Sequence, residues 1–377
     1  MSSLSFVIPT LFGLEGPVGE ELRRLGLQEV KGENGRVLCQ GALGDIPRLN
    51  LNLRCGERVL ILLGTFMARD FETLFQGTLK LPWEEFLPKD AAFPVKGYTL
   101  SSQLASEPAC QSIIKKAVAT RLGKAYGLST LPENGPLYQI QFSLLKDQVS
   151  LMLDTSGLPL HKRGYRQDKG LAPLRETLAA ALVLFSRYHG KGPLFDPHCG
   201  SGTIPIEAAL IARNIAPGLQ RHFSAEQWPW LKDSLWEAAR TEAKDKEFHG
   251  EYDIWGGDID PHCLRIAKQN ARRAGVADLV RFSQADSANF SQESDFGTIV
   301  TNPPYGERLL EQEEAKQLYA AFGKAVSRLS PAWRISVLTP FSAFEEAFGR
   351  TAEKKRKLYN GKLKCQLYLF GKIPGRN

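Results

Sequence analysis

Short apolar runs alternate with polar turns through the first part of the chain. Residues 4–9 are one such run, residues 20–25 have the spacing of a short amphipathic helix, and 35–39 and 58–63 read as strands around a helix-compatible stretch at 46–53. This order predicts a small β-α-β-α-β unit ending near residue 65, with no catalytic signature and the character of a packing or docking module. From Phe66 to about Asp154 the pattern changes. A strand at Tyr98-Thr99-Leu100 precedes a helix over 107–126, on which Ile113, Ile114, Ala117, Val118, Arg121 and Leu122 trace one face while Lys115, Lys116 and Lys124 project elsewhere. The lysines suit either phosphate contacts or a solvated face. Two strands, 137–142 and 148–153, separated by Lys146-Asp147, form a hairpin that closes this region.

A basic segment, His161-Lys162-Arg163-Gly164-Tyr165-Arg166, then leads toward a new helix. It reads as a linker, with Lys162, Arg163 and Arg166 as candidate phosphate contacts or as an exposed basic stretch with no specific partner. Pro173 suits the first turn of an apolar helix over 174–188, and the remainder alternates as an α/β domain.

Chemistry gathers at the strand ends of that domain. A short strand at 193–195 runs into Asp196-Pro197-His198-Cys199-Gly200-Ser201-Gly202-Thr203 and an apolar helix, and its glycines let backbone approach a ligand closely. The loop is neither G-x-x-x-x-G-K-[ST] nor G-x-G-x-x-G, which weakens nucleoside triphosphate and nicotinamide readings. The next strand, 252–257, ends in Asp258-Ile259-Asp260-Pro261. Asp258 is placed to accept hydrogen bonds from ribose hydroxyls, whereas Asp260, directly before proline, reads as a helix N-cap. A third strand, 279–282, leads to Asp286 and Ser287, where the acid suits an adenine amine or a turn. A fourth, 297–300, ends in Asn302-Pro303-Pro304-Tyr305. Two prolines fix that backbone, so the Asn302 side-chain oxygen and the Pro303 carbonyl can take both N–H bonds of a planar amine while Tyr305 stacks on its ring.

With 377 residues and 43% hydrophobic content, the chain is long enough for two or three domains with cores, which excludes disordered and mini-protein classes. The net charge of +7 biases it toward polyanionic partners. Six dispersed cysteines, without C-x-x-C or clustered histidine, predict no metal site and a reducing, cytoplasmic setting. No leader-like or bilayer-length apolar segment is present, which predicts a soluble, unprocessed protein without a membrane partner.

With DPHCGSGT, GGDIDP, QAD and NPPY in this order, the sequence resembles class I S-adenosylmethionine-dependent methyltransferases. LHKRGYR, APLRETLAAAL, FDPHCGSGTIPIEAA and TNPPYGERL closely resemble bacterial THUMP-domain RNA methyltransferases, the RlmL-like family of 23S rRNA guanine-N2 methyltransferases, which also carries an older label as N6-adenine-specific DNA methylases. The resemblance implies an α/β architecture: a ferredoxin-like segment (1–65), a THUMP RNA-binding domain (66–155), a linker (156–172) and a Rossmann-like catalytic domain (173–377). It implies S-adenosylmethionine as cofactor, held by Asp196, Pro197, Cys199, Gly200, Ser201, Gly202, Asp258, Ile259, Asp286 and Ser287, with Asn302, Pro303, Pro304 and Tyr305 as the amine site. It also implies an RNA partner, 23S rRNA or a large-subunit assembly intermediate, and puts Lys115 and Lys116 on an RNA-facing surface. The long stretch between Gly202 and Asp258 is similar to an insertion these enzymes carry, and its tryptophans, Trp228, Trp230 and Trp236, suit core packing or nucleotide stacking.

NPPY chemistry also serves adenine N6 in DNA and glutamine amides in proteins. A DNA enzyme calls for a separate target-recognition region, and a glutamine enzyme has no use for a THUMP-like half. A binding factor with a vestigial fold is a further alternative, opposed by the intact motifs.

Overall fold

The computed structural model describes residues 3–166, 174–305 and 309–371. Its first half comprises β1 (Leu4–Pro9), α1 (Glu15–Arg24), β2 (Gln28–Glu33), β3 (Arg36–Gly41), α2 (Asp45–Asn52), β4 (Leu60–Met67), α3 (Phe71–Leu79), β5 (Val95–Leu100), α4 (Glu107–Tyr126), β6 (Ile140–Leu145) and β7 (Gln148–Asp154). All seven strands join in one sheet, ordered β2-β3-β1-β4-β7-β6-β5. The inward residues of alternate positions, among them Phe6, Ile61, Phe142 and Leu151, form its core against the helices. α4 spans the predicted residues because Ser106 accepts the Ala109 N–H at its start and Gly127, at φ +67°, closes its end.

Two features depart from the sequence reading. β2 was not anticipated, since QEVKGE is a polar, largely exposed edge strand with no apolar alternation. β4 runs through residue 65, pairing with β1 through Leu60 and Ile61 and with β7 along 60–67, so the sheet continues across the predicted boundary.

The second half comprises α5 (Glu176–Phe185), β8 (Leu194–Asp196), α6 (Thr203–Ala212), α7 (Asp233–Asp245), β9 (Ile254–Asp258), α8 (Pro261–Arg273), β10 (Val280–Gln284), β11 (Thr298–Thr301), α9 (Leu309–Val326), β12 (Arg334–Thr339), α10 (Phe344–Phe348), β13 (Lys354–Asn360) and β14 (Leu363–Phe370). Its sheet has the order β10-β9-β8-β11-β12-β14-β13, in which β14 alone runs antiparallel to the other six strands. β8 is the switch point, because the chain leaves it toward β9 on one side and later returns as β11 on the other. In such sheets ligands bind beyond the carboxyl end of that strand. Behind it, Phe195, Tyr319, Phe322, Trp333, Phe344 and Phe370 build an aromatic core against α9 and α10. α5 is shorter than predicted, and Pro173 and linker residues 167–172 lie outside the described residues. No helix among the described residues is long and apolar enough to cross a membrane.

The halves are fastened together by partly buried polar contacts and by aromatic packing. Glu57 accepts from Thr177 Oγ1 (2.6 Å) and Arg175 Nη1 (3.3 Å) and meets His161 Nδ1 at 2.8 Å. Trp228, from the insertion after α6, stacks on Tyr138 with centroids 4.5 Å apart and donates its indole N–H to Leu137 O. Trp230 donates to Phe86 O, and Trp236 is buried against Phe223. All three insertion tryptophans therefore have packing roles.

Candidate functional site

The loop after β8 is shaped by two left-handed glycines, Gly200 (φ +50°) and Gly202 (φ +81°). A Cβ on Gly202 would sit 2.9 Å from Ala267 Cβ and 3.0 Å from the Phe282 ring, so this glycine lets α6 start tight against the sheet. A Cβ on Gly200 would meet nothing within 4 Å, leaving its backbone face open. The Cys199 N–H bonds Gly257 O (2.8 Å), and the Ser201 carbonyl accepts from Asn270 Nδ2 (3.0 Å). Burial pushes the Cys199 thiol well above its ordinary range, so it stays protonated and packs.

Two acids order this loop. Asp258, ending β9, accepts the Gly200 N–H on Oδ2 and the Asp260 N–H on Oδ1, both at 2.9 Å. Asp260 caps α8 by accepting the His262 N–H, as its position before Pro261 predicts. Asp196, ending β8, is 1% exposed, and its Oδ1 accepts from Thr301 Oγ1 (2.7 Å) and the His198 N–H (3.2 Å). Burial outweighs these bonds and raises its pKa to about 7.

His198 is a component that the sequence reading passed over. Its Nδ1 lies 3.1 Å from Thr301 Oγ1 and its Nε2 2.9 Å from Ser287 Oγ, while burial lowers its pKa to about 4. The ring is neutral, and the Thr301 hydroxyl proton is committed to Asp196. Thr301 therefore accepts from His198 Nδ1–H, and Nε2 accepts from Ser287. One imidazole thus ties together the ends of β8, β10 and β11. The only signal was its place inside the glycine loop.

Asp286 accepts the Ala288 N–H (2.9 Å) as the cap of a short turn, and with Asp196, Pro197, Trp255, Gly257 and Ser287 it lines a cleft of about 320 Å³ at the strand ends. Ile259, 68% exposed, lies just past Asp258. A larger hollow of about 380 Å³, lined by Arg163, Arg213 and Lys244, lies behind α6 away from these acids.

In the loop after β11, Pro303 is buried, Pro304 exposed and Tyr305 half-buried. The Asn302 side-chain oxygen is buried with no hydrogen-bond partner among the described residues. Leaving such an acceptor unpaired costs about 1–3 kcal/mol, which a donor on a ligand would recover. The Pro304 carbonyl accepts from Tyr319 Oη of α9 (2.9 Å), a tether that no local pattern in the helix sequence foretold.

The basic candidates separate. Arg163 is 4% exposed and donates to the carbonyls of Leu53, Leu160 and Arg54, with Glu207 at 3.5 Å. It is an internal strut, which corrects its reading as a phosphate contact. Arg166 is spent similarly, on Glu176 (3.1 Å), Leu174 O and Thr203 Oγ1. Lys162 is exposed. On α4, Lys115 pairs with Glu133 and lies over the Phe93 ring, while Lys116 is exposed near Phe75.

Three family models match the chain: "RlmL ferredoxin-like domain" over residues 5–60, "THUMP domain" over 68–154 and "RMKL-like, methyltransferase domain" over 163–368. The chain is 44% identical over 373 residues, 98% of its own length and 96% of the relative's, to "Putative RNA methyltransferase YpsC" of Bacillus subtilis. It is 33% identical to "Ribosomal RNA large subunit methyltransferase K/L" of Marinobacter nauticus, aligning over 99% of its own length but 53% of that relative, so it spans about half of that protein. Among solved structures, SMU.472, described as "a putative methyltransferase complexed with SAH", superposes with a TM-score of 0.94 at 43% identity, covering 100% of both chains.

Proposed function

The chain belongs to the RMKL-like methyltransferase family, with RlmL-type ferredoxin-like and THUMP domains ahead of the catalytic domain, and from that premise we propose that it methylates an exocyclic base nitrogen of RNA, guanine N2 of 23S rRNA. Its cofactor is S-adenosylmethionine. The residues present fit that group: a cleft lined by Asp196 and Asp286, open space over Gly200 and an exposed apolar side chain at Ile259. Asp258 would hold the ribose hydroxyls, Asp286 the adenine amine, Ile259 and Ser287 the adenine surroundings, and Asp196 with residues 197–202 the methionine end. When bound, the cofactor supplies a methyl group already electrophilic through its sulfonium.

The single observation that carries the reading is the unpartnered, buried Asn302 oxygen beside Pro303, a residue whose backbone has no N–H. Asn302 Oδ1 and the Pro303 carbonyl accept the two N–H bonds of the acceptor amine. They draw its lone pair out of conjugation and stabilise the positive charge that develops as the N–C bond forms. Amide oxygens are too weakly basic to keep a proton, so the proton lost from nitrogen passes to water. Tyr319, holding the Pro304 carbonyl, prevents the loop from turning its acceptors away. Tyr305 offers a face for the base, and Lys116 and Lys162 are exposed cations for the phosphates of a flanking RNA. A large-subunit RNA substrate is supported by the name of the K/L relatives and by the THUMP match, and guanine N2 by the motif resemblance alone.

The test is transfer of labelled methyl from S-adenosylmethionine to rRNA from cells lacking the protein, with the labelled nucleoside identified by mass spectrometry. N2-methylguanosine is expected. Label in DNA or protein would overturn the RNA reading, and measurable cofactor binding without label in any of them would overturn catalysis.

A further inference from the structure

Charge is unevenly distributed along this chain. Residues 350–364, RTAEKKRKLYNGKLK, hold seven basic side chains against one acid, an excess of six where the whole chain nets +7. The remainder of the protein is therefore close to neutral, and its basic character is concentrated in β13, β14 and their turn.

The sheet register places this hairpin at the active-site rim. Thr301 of β11 pairs with Val337, Val337 with Tyr368, and Tyr368 with Lys355, giving one row across four strands. Asn302 stands one residue past that row and Lys357 two past it. Tyr359 and its partner Lys364 stand four past it, about 13 Å beyond at ~3.3 Å per residue, and the lateral offset is three strand spacings, about 14 Å. Opposed residues share a face, so Lys355, Lys357, Tyr359, Lys364, Gln366 and Tyr368 point to one side. On that side Tyr368 packs on Phe344 of α10. Beyond α10 the surface opens into a hollow of about 330 Å³ lined by Pro340, Ser342, Lys364, Gln366, Tyr368 and the Glu345–Lys355 pair. Phe341, between the lining residues Pro340 and Ser342 in sequence, lies 5.5 Å from Tyr319, the residue that tethers Pro304.

Lys355 is paired with Glu345 and Arg350 with Glu353, while Arg356 is half-buried over Phe185. Lys357, Lys362 and Lys364 are exposed and have no carboxylate partner among the described residues. Tyr359 lies within 5.5 Å of Lys357 Nζ and meets Phe12, itself 56% exposed, edge to face. Protection of a sheet edge explains lysines on β13, the outer strand. It does not explain Lys364, on the interior strand β14, or Lys362, in the turn.

We infer that this C-terminal hairpin is a second RNA-contact surface, in which Lys357, Lys362 and Lys364 bind backbone phosphates flanking the target base and Tyr359 and Phe12 offer faces to its unpaired neighbours. The inference rests on the RNA reading above. Extracting a base from its stack costs a few kcal/mol, and phosphate contacts beside the extraction point offset that cost where it arises.

The test compares wild type with a K357Q/K362Q/K364Q variant and with a K357R/K362R/K364R control, using the same rRNA. Expected for the glutamine variant are an RNA KM raised about tenfold and a log-affinity against log-salt slope reduced by about 2, from ~0.7 per lost phosphate contact. Cofactor affinity and melting temperature should be unchanged, and the arginine control should restore wild-type values. Wild-type KM and salt slope in the glutamine variant would overturn the hairpin assignment alone. A wild-type enzyme that neither binds nor labels rRNA would instead refute the RNA reading and this inference with it.

Discussion

Two glycines of the loop after β8 differ in what surrounds them, and replacing each with alanine separates fold from binding. In Gly202→Ala the new methyl meets Ala267 Cβ at 2.9 Å and the Phe282 ring at 3.0 Å, and the backbone stays at φ +81°. Overpacking costs about 1–3 kcal/mol and left-handed backbone about 1–2 kcal/mol, so a loss of about 3 kcal/mol is expected. At ~2–4 °C per kcal/mol for a domain of this size, that is a melting temperature lower by roughly 6–12 °C. In Gly200→Ala, at φ +50°, the methyl meets nothing in the protein, leaving only the backbone cost of about 1 kcal/mol and a drop of about 2–4 °C. That methyl does occupy the open face of the loop, where the methionine end of the cofactor would lie, so affinity for S-adenosylmethionine should fall about tenfold or more, equivalent to ~1.4 kcal/mol. Thermal unfolding without cofactor and titration calorimetry with it read the two effects. If Gly200→Ala left affinity unchanged, or destabilised the protein as much as Gly202→Ala, the assignment of this loop would be refuted.

Asn302→Ala should keep cofactor affinity within a factor of about 2 while kcat falls ~100-fold, the size typical for an electrostatic donor or acceptor at a reacting centre; unchanged single-turnover rates would remove Asn302 from the chemistry. Arg163→Met should cost about 3–5 kcal/mol in urea unfolding, because Glu207 and three carbonyls lose a buried partner, and should leave the salt slope of RNA binding intact. A reduced slope without destabilisation would return Arg163 to the RNA surface. Asp196 gives a pH signature. Its folded pKa of about 7 exceeds its unfolded value, so its contribution to the stability of the cofactor-free protein rises as pH falls from about 7 toward 4. His198, lowered to about 4, opposes this below pH 6.5, where the unfolded histidine takes up a proton that the folded one refuses. A cationic cofactor favours ionised Asp196, so its affinity should increase with pH up to about 7 and then level off, and Asp196→Asn should flatten that profile.

The sequence was most informative where one residue type does its work locally. Asp260 before Pro261 is a cap on any helix, and two prolines after a buried strand make a stiff loop whatever surrounds them. Charge was read less well, because a basic residue looks the same whether it faces solvent or three carbonyls. Arg163 and Arg166 are consumed inside the molecule by groups as far away in sequence as Leu53 and Thr203. His198 and Tyr319 were missed for a related reason: each acts on a strand end more than a dozen residues away, and no helix or strand periodicity records such a contact. β2 escaped because its pairing is made by backbone groups, to which side-chain alternation is blind.

The shared strand β4 carries a consequence for how this protein can be taken apart. It pairs with β1 through Leu60 and Ile61 and with β7 through residues 60–67, so it is the hem joining two cloths. A cut at residue 65 would leave one fragment with an unfinished edge and the other without the strand that β7 requires. A fusion that transplants only the THUMP portion must therefore carry everything through residue 154, and the face of Tyr138 that the cut uncovers must find a replacement for Trp228. The amino-terminal half is a single movable part, and it moves only with a new partner ready to cover it.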